Sequence, residues 1–174
     1  PGDYEASTEE AAAYVIQAFA GARAADVERF FFFRLHDADM INSDQFFGLT
    51  RNDTTIRPAY LAYQVAARYL RGENQITGPF VTPQGIERIT FLGTPYGRID
   101  VLWNTLADHT RNYTHAATLP TATLVTHRGV TQTLTASEGF FDLELAPATA
   151  NLHPDGTYFI GGPPMLLLQT DIIS

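Results

Sequence analysis

Apolar residues at Ala12, Val15, Ile16 and Phe19 recur at helical intervals and make one face, just after Ser7 and Glu10 in capping-box spacing. The pattern predicts a helix that starts at Ser7, is weakened by Gly21 and gives way at Asp26-Val27-Glu28-Arg29. Phe30-Phe31-Phe32-Phe33-Arg34-Leu35 then runs without polar alternation, as expected of a strand covered on both faces in a parallel sheet. A long polar stretch from His36 to about Thr55 follows, broken by Phe46-Phe47-Gly48-Leu49. Long loops after buried strands often carry function. Pro58 suits a first helical turn, Ala59, Ala62, Tyr63, Ala66, Tyr69 and Leu70 give a second apolar face, and Gly72 is placed to cap it.

Beyond Gly72 threonine replaces alanine and the period changes from helical to alternating. Ile89 and Phe91, then Ile99, Val101 and Trp103, then Leu124 leading through His127-Arg128-Gly129 to Val130–Thr135, then Phe141, Leu143 and Leu145 mark short strands. Tyr158–Ile160 and Met165–Gln169 close the series around Gly161-Gly162-Pro163-Pro164. Strands at this density predict an antiparallel sandwich, with Ile89, Phe91, Val101, Trp103, Leu124, Phe141, Leu143 and Leu167 pointing inward. The expected class is therefore α+β, divided into residues 1–72 and 73–174.

One strand has no sheet to sit in. Burying a Phe side chain is worth roughly 1.5–3 kcal/mol, so Phe30, Phe31, Phe32 and Phe33 require cover from an upstream segment, a self-associated copy or the sandwich itself.

Composition narrows the function classes. The 174 residues are 45% apolar and 17% charged, the balance of a globular chain with a core. With no cysteine there is neither a disulfide framework nor a thiolate zinc site, and nothing about redox compartment follows. A net charge of −8 argues against nucleic acid as a partner, and no apolar run approaches a membrane span. All the basic residues are arginine. The first residue is Pro1 rather than Met, so a longer parent chain is expected.

Three stretches together resemble the C-terminal part of a bacterial (β/α)8-barrel glycoside hydrolase, of the retaining clan with an acid/base glutamate on strand four and a nucleophile on strand seven. They are Ser7 to Phe19, Phe31 to Asp37, and Phe47-Gly48-Leu49-Thr50-Arg51-Asn52-Asp53 with Arg57-Pro58-Ala59-Tyr60. Val101–Asn104 and Tyr158–Pro163 look like the β-sandwich that follows such barrels. The resemblance implies that residues 8–25 are the seventh barrel helix, 30–35 the eighth strand, 58–71 the eighth helix and 76–174 the sandwich. It also implies that both catalytic glutamates precede Pro1 in a secreted or periplasmic parent, and that this chain by itself is inactive.

Retaining hydrolysis needs two carboxyl groups about 5–5.5 Å apart, and Glu5, in a polar lead-in, fits neither role. His36 and Asp37 follow the apolar run, where barrel residues face an active site; they contact substrate or else satisfy backbone groups at a strand end. Phe46 and Phe47 stack on a sugar ring or anchor their loop. Arg34 pairs with an acid such as Asp37 or points into the barrel. Asp39, Asp44 and Asp53 lack calcium-loop spacing, and His109, His115, His127 and His153 lack ligand spacing, so neither metal nor cofactor is expected. The alternative is a carbohydrate-binding module, for which Tyr96, Tyr113 and Phe140 are the available rings.

Overall fold

The computed structural model describes residues 6–32, 35–37, 48–72, 75–107, 109–152 and 158–170. Helix α1 (Thr8–Ala24) opens with the capping box read from the sequence. Ser7 Oγ accepts from the Glu10 N–H at 3.2 Å, and the Glu10 carboxylate accepts from the Ser7 N–H at 2.6 Å. Helix α2 (Pro58–Tyr69) carries Pro58 in its first turn, where a missing N–H costs nothing. Gly72, with φ +97°, lies just past the helix end. Ala12, Ala20, Ala62 and Ala66 are fully buried where the two helices meet. Among the described residues no helix is long and apolar enough to cross a membrane.

Ten strands follow: β1 (Gln75–Val81), β2 (Ile86–Thr94), β3 (Gly97–Asn104), β4 (Arg111–Ala116), β5 (Thr121–Thr126), β6 (Thr131–Thr135), β7 (Phe140–Leu145), β8 (Ala150–Leu152), β9 (Tyr158–Ile160) and β10 (Met165–Gln169). The β5–β6 hairpin turns at Gly129, whose φ of +83° suits a residue without a Cβ. Six strands form one antiparallel sheet in the order β1-β2-β3-β10-β5-β6. Strand β10 thus enters the middle, placing Leu167 opposite both Asp100 and Leu124. Strands β4 and β7 make a separate two-stranded ribbon, as do β8 and β9.

The central sheet is covered on both faces. Ile89, Phe91, Ile99, Val101, Trp103, Val125, Leu166 and Leu168 share one core with α1 and α2. Ile86, Leu102, Ala122 and Leu167 form a second core with Phe141, Leu143 and Leu145 of the β4–β7 ribbon, and Leu124 packs at its margin. The inward set expected from the sequence is therefore corrected from one core to two. Neighbouring side chains on a strand point to opposite faces, and periodicity alone does not say that both faces are buried. Trp103 is buried, but beneath the helices rather than between sheets. A Cβ at Gly161 would strike its indole ring.

The apolar run differs from its expected form too. Phe30, Phe31 and Phe32 are not in a strand, and the described residues from Leu35 to Asp37 make only one bridge, His36 to Thr50. A parallel strand is held by hydrogen bonds to neighbours on either side; among the described residues Thr50 alone bridges this segment, at His36, and Phe30–Phe32 have no bridge. Phe33 and Arg34 lie outside the described residues.

Candidate functional site

The segment after the apolar run is tied to the segment before α2. The Thr50 N–H donates to Leu35 O at 2.9 Å, and the Asp37 N–H donates to Thr50 O at 3.1 Å. Gly48 fits into this crossing because a Cβ there would collide with Asp37 N and His36 C. Thr50 then bridges to Ile56, and the Arg57 N–H donates to Leu49 O at 3.1 Å. These four short backbone links hold Leu35–Asp37 where α2 begins.

Asp37 is almost wholly buried by this clasp. Its Oδ1 accepts from the Gly48 N–H at 2.8 Å, and its Oδ2 accepts from Arg57 Nη2 at 2.5 Å. The side chains of Asp37 and Arg57 are 2% and 14% exposed, so this ion pair is shielded and both carboxylate oxygens are committed. Asp37 is thereby a holder of loop geometry. His36 beside it is exposed, and its Nδ1 lies 2.5 Å from Thr50 Oγ1. Thr50 Oγ1 also donates to Leu35 O at 3.0 Å. Phe46 and Phe47, the other expected contacts, lie outside the described residues, as do Glu5, Asp39, Asp44 and His153. Asp53 is exposed and closes a local turn onto Thr55, whose hydroxyl and backbone N–H donate to the Asp53 carboxylate and lower its pKa.

Sequence reading missed Gly48, Thr50 and Arg57 as partners in this clasp. Arg57 had one legible sign: the residue before a proline is kept extended, and at φ −98°, ψ 161° it caps α2 from outside the helix.

A second polar cluster lies in the core beneath the ribbon. Asp100, on β3, is fully buried and accepts from Arg98 Nε at 2.7 Å, Arg98 Nη2 at 3.0 Å and Thr90 Oγ1 at 2.6 Å. Nε2 of buried His115, on β4, lies 3.1 Å from Asp100 Oδ2. Burial by itself would raise the Asp100 pKa, but the bonds from His115, Arg98 and Thr90 outweigh it and hold the carboxyl well below the usual range. On the other face Glu9 of α1 meets His127, at 3.2 Å, and Arg128 of the β5–β6 turn. Among the described residues no three metal-ligating side chains converge.

The aromatic residues divide likewise. Phe30 meets Phe19 and Phe32 edge-on at 6.1 and 5.1 Å, and Phe32 meets Tyr63 at 5.8 Å. Phe31 is 80% exposed. An open groove of about 590 Å³ runs beside them, lined by Phe19, Val27, Phe30, Phe31 and Leu70 among others. Tyr96 packs against Tyr69 in the helix-side core, Tyr113 joins the ribbon-side core, and Phe140 is exposed. Tyr96 and Tyr113 thus serve opposite faces of the central sheet and do not share a platform.

No family model matches this chain, and no curated protein matches it. Among solved structures it is similar to a family 39 glycoside hydrolase from the gut symbiont Bacteroides cellulosilyticus WH2, with a TM-score of 0.54 and 21% identity. The similarity covers 91% of this chain and 30% of that one, so this chain spans about a third of that protein's length. At this identity the likeness is one of fold: two helices and mostly antiparallel sheets, arranged as in a part of that hydrolase.

Proposed function

We propose that this chain is the C-terminal part of a retaining glycoside hydrolase, whose residues 1–72 contribute the last units of a (β/α)8 barrel and whose residues 73–174 form an appended β domain. The observation that carries this reading is the fold likeness to part of a glycoside hydrolase over nine-tenths of the chain. The row at Phe30–Phe32 supports it: rings from the two helices meet Phe30 and Phe32, while Phe31 is exposed. Upstream barrel strands would cover that ring. The shared core beneath α1 and α2 fixes the last barrel helices to the β domain, which gives the appendage a structural task.

Retaining hydrolysis requires one carboxyl group that gives and takes a proton and one that attacks carbon. Asp37 is buried, paired with Arg57 and bonded by the Gly48 N–H, and Asp100 is sealed beneath the ribbon, so neither is open to a substrate. The resemblance to retaining glycoside hydrolases is what assigns the catalytic pair to the upstream part of the parent. Carbohydrate reaches this chain through that parent, at the end of the Phe30–Leu35 segment.

The test is an assay against 4-nitrophenyl β-glycosides of glucose, xylose, galactose and mannose. The 174-residue chain is expected to show no turnover and the longer parent to show turnover, abolished when its upstream strand-end glutamates are changed to glutamine. Turnover by the 174-residue chain that vanishes in Asp37→Ala overturns the assignment.

A further inference from the structure

The exposed imidazole next to the clasp has its hydrogen-bonding state set by its neighbours. Thr50 Oγ1 has one proton and two polar partners, Leu35 O at 3.0 Å and His36 Nδ1 at 2.5 Å. A carbonyl oxygen only accepts, so both contacts are hydrogen bonds when the hydroxyl proton goes to Leu35 O and Nδ1 carries the N–H that completes the short one. In the neutral ring Nε2 is then left as a bare acceptor. It has no hydrogen-bond partner among the described residues, and the side chain is exposed.

Orientation is fixed as well as tautomer. The backbone on both sides of His36 is bound to Thr50, and the Asp37 carboxylate is bound to Gly48 and Arg57. A ring held this firmly at the surface has little conformational entropy left to lose on binding. We propose that His36 is a specificity residue that accepts a hydrogen bond at Nε2 from one hydroxyl of a sugar, with Thr50 as its positioning residue and Asp37 as a structural brace out of contact with substrate. This assignment rests on the glycoside hydrolase reading for the identity of the ligand, and on the chain's own geometry for the tautomer. Sites that bond a substrate hydroxyl discriminate strongly against the analogue that lacks it, so His36 determines preference rather than making or breaking a bond.

Two measurements test it. In the 174-residue chain, two-bond proton–nitrogen correlation of the ring at mildly alkaline pH is expected to show His36 protonated at Nδ1, with that preference lost in Thr50→Val. A ring protonated at Nε2 overturns the proposal whatever the parent enzyme does. In the parent, His36→Ala is expected to lower kcat/KM roughly 10- to 100-fold for its best 4-nitrophenyl β-glycoside. One monodeoxy analogue of that substrate should be turned over equally by both forms. An equal loss on every deoxy analogue overturns the specificity role. A parent that hydrolyses none of these glycosides overturns the hydrolase reading and the sugar ligand with it, while the tautomer result is unaffected.

Discussion

Two apolar runs in this chain have opposite fates. Phe30–Leu35 is the more hydrophobic in sequence, yet Phe31 is 80% exposed and Leu35 is 55% exposed. Ile99–Asn104 of β3 contains an aspartate and an asparagine, yet every residue in it is buried. The difference is in the neighbours. Strand β3 has β2 and β10 beside it, helices above and the β4–β7 ribbon below. Phe30 and Phe32 meet rings from the two helices, and Phe31 is left exposed. An apolar run thus states that cover is needed, and the rest of the fold decides whether it is present.

The comparison can be broken most sharply at Asp100. Changing it to alanine leaves buried Thr90 and His115 and partly exposed Arg98 without their acceptor, and removing one partner of a buried pair costs about 3–5 kcal/mol. Urea unfolding of Asp100→Ala is expected to show that loss; a change below about 1 kcal/mol would mean that water reaches the cluster.

The contrast itself is measured by two truncations. Ile99→Ala removes fully buried volume and is expected to cost about 2–5 kcal/mol. Phe31→Ala touches an exposed ring and is expected to stay within about 0.5 kcal/mol. Equal losses from the two would show that Phe31 is already covered in solution, for example by a second copy.

The smallest effect is in the pH dependence. Asp100 has a folded pKa below its unfolded one, so its contribution is fully present above the usual carboxylate range and is lost as pH falls through and beneath that range. Burial lowers the His127 pKa from 6.5, so folding favours the neutral ring; that contribution is present above the unfolded value and fades as pH drops past it. His127 faces Glu9, with Arg128 on the same carboxylate. Tm against pH should therefore fall in two limbs. His127→Gln should remove the limb just below neutrality and keep the acid one, and an unchanged first limb would assign it to another group.

Local features were legible because their causes are local. The Ser7–Glu10 box, Pro58 at the start of α2, the turn at Gly129 and the alternation in β2, β3 and β7 depend on residues a few positions apart. Strands β1, β4 and β8 escaped notice, since Gln-Ile-Thr-Gly-Pro-Phe-Val is broken by Gly-Pro, and Arg-Asn-Tyr-Thr-His-Ala and Ala-Asn-Leu carry little apolar alternation. In the candidate site, His36 and Asp37 stood out by their place after an apolar run. Their different roles did not, because Asp37's partners are 11 and 20 residues away.

The sequence by itself determined the helices, most strands, the shift of character at Gly72 and the demand that Phe30–Phe32 be covered, all from periodicity and turn chemistry over short spans. Only the tertiary structure decided that β10 enters the sheet between β3 and β5, that the strand side chains divide into two cores, that Asp37 is spent on Arg57 while His36 faces outward, and that Asp100 is ionised in the interior. Each of these depends on which distant segments meet, and period 2 or 3.6 assigns a side chain to a face without saying what will lie against it.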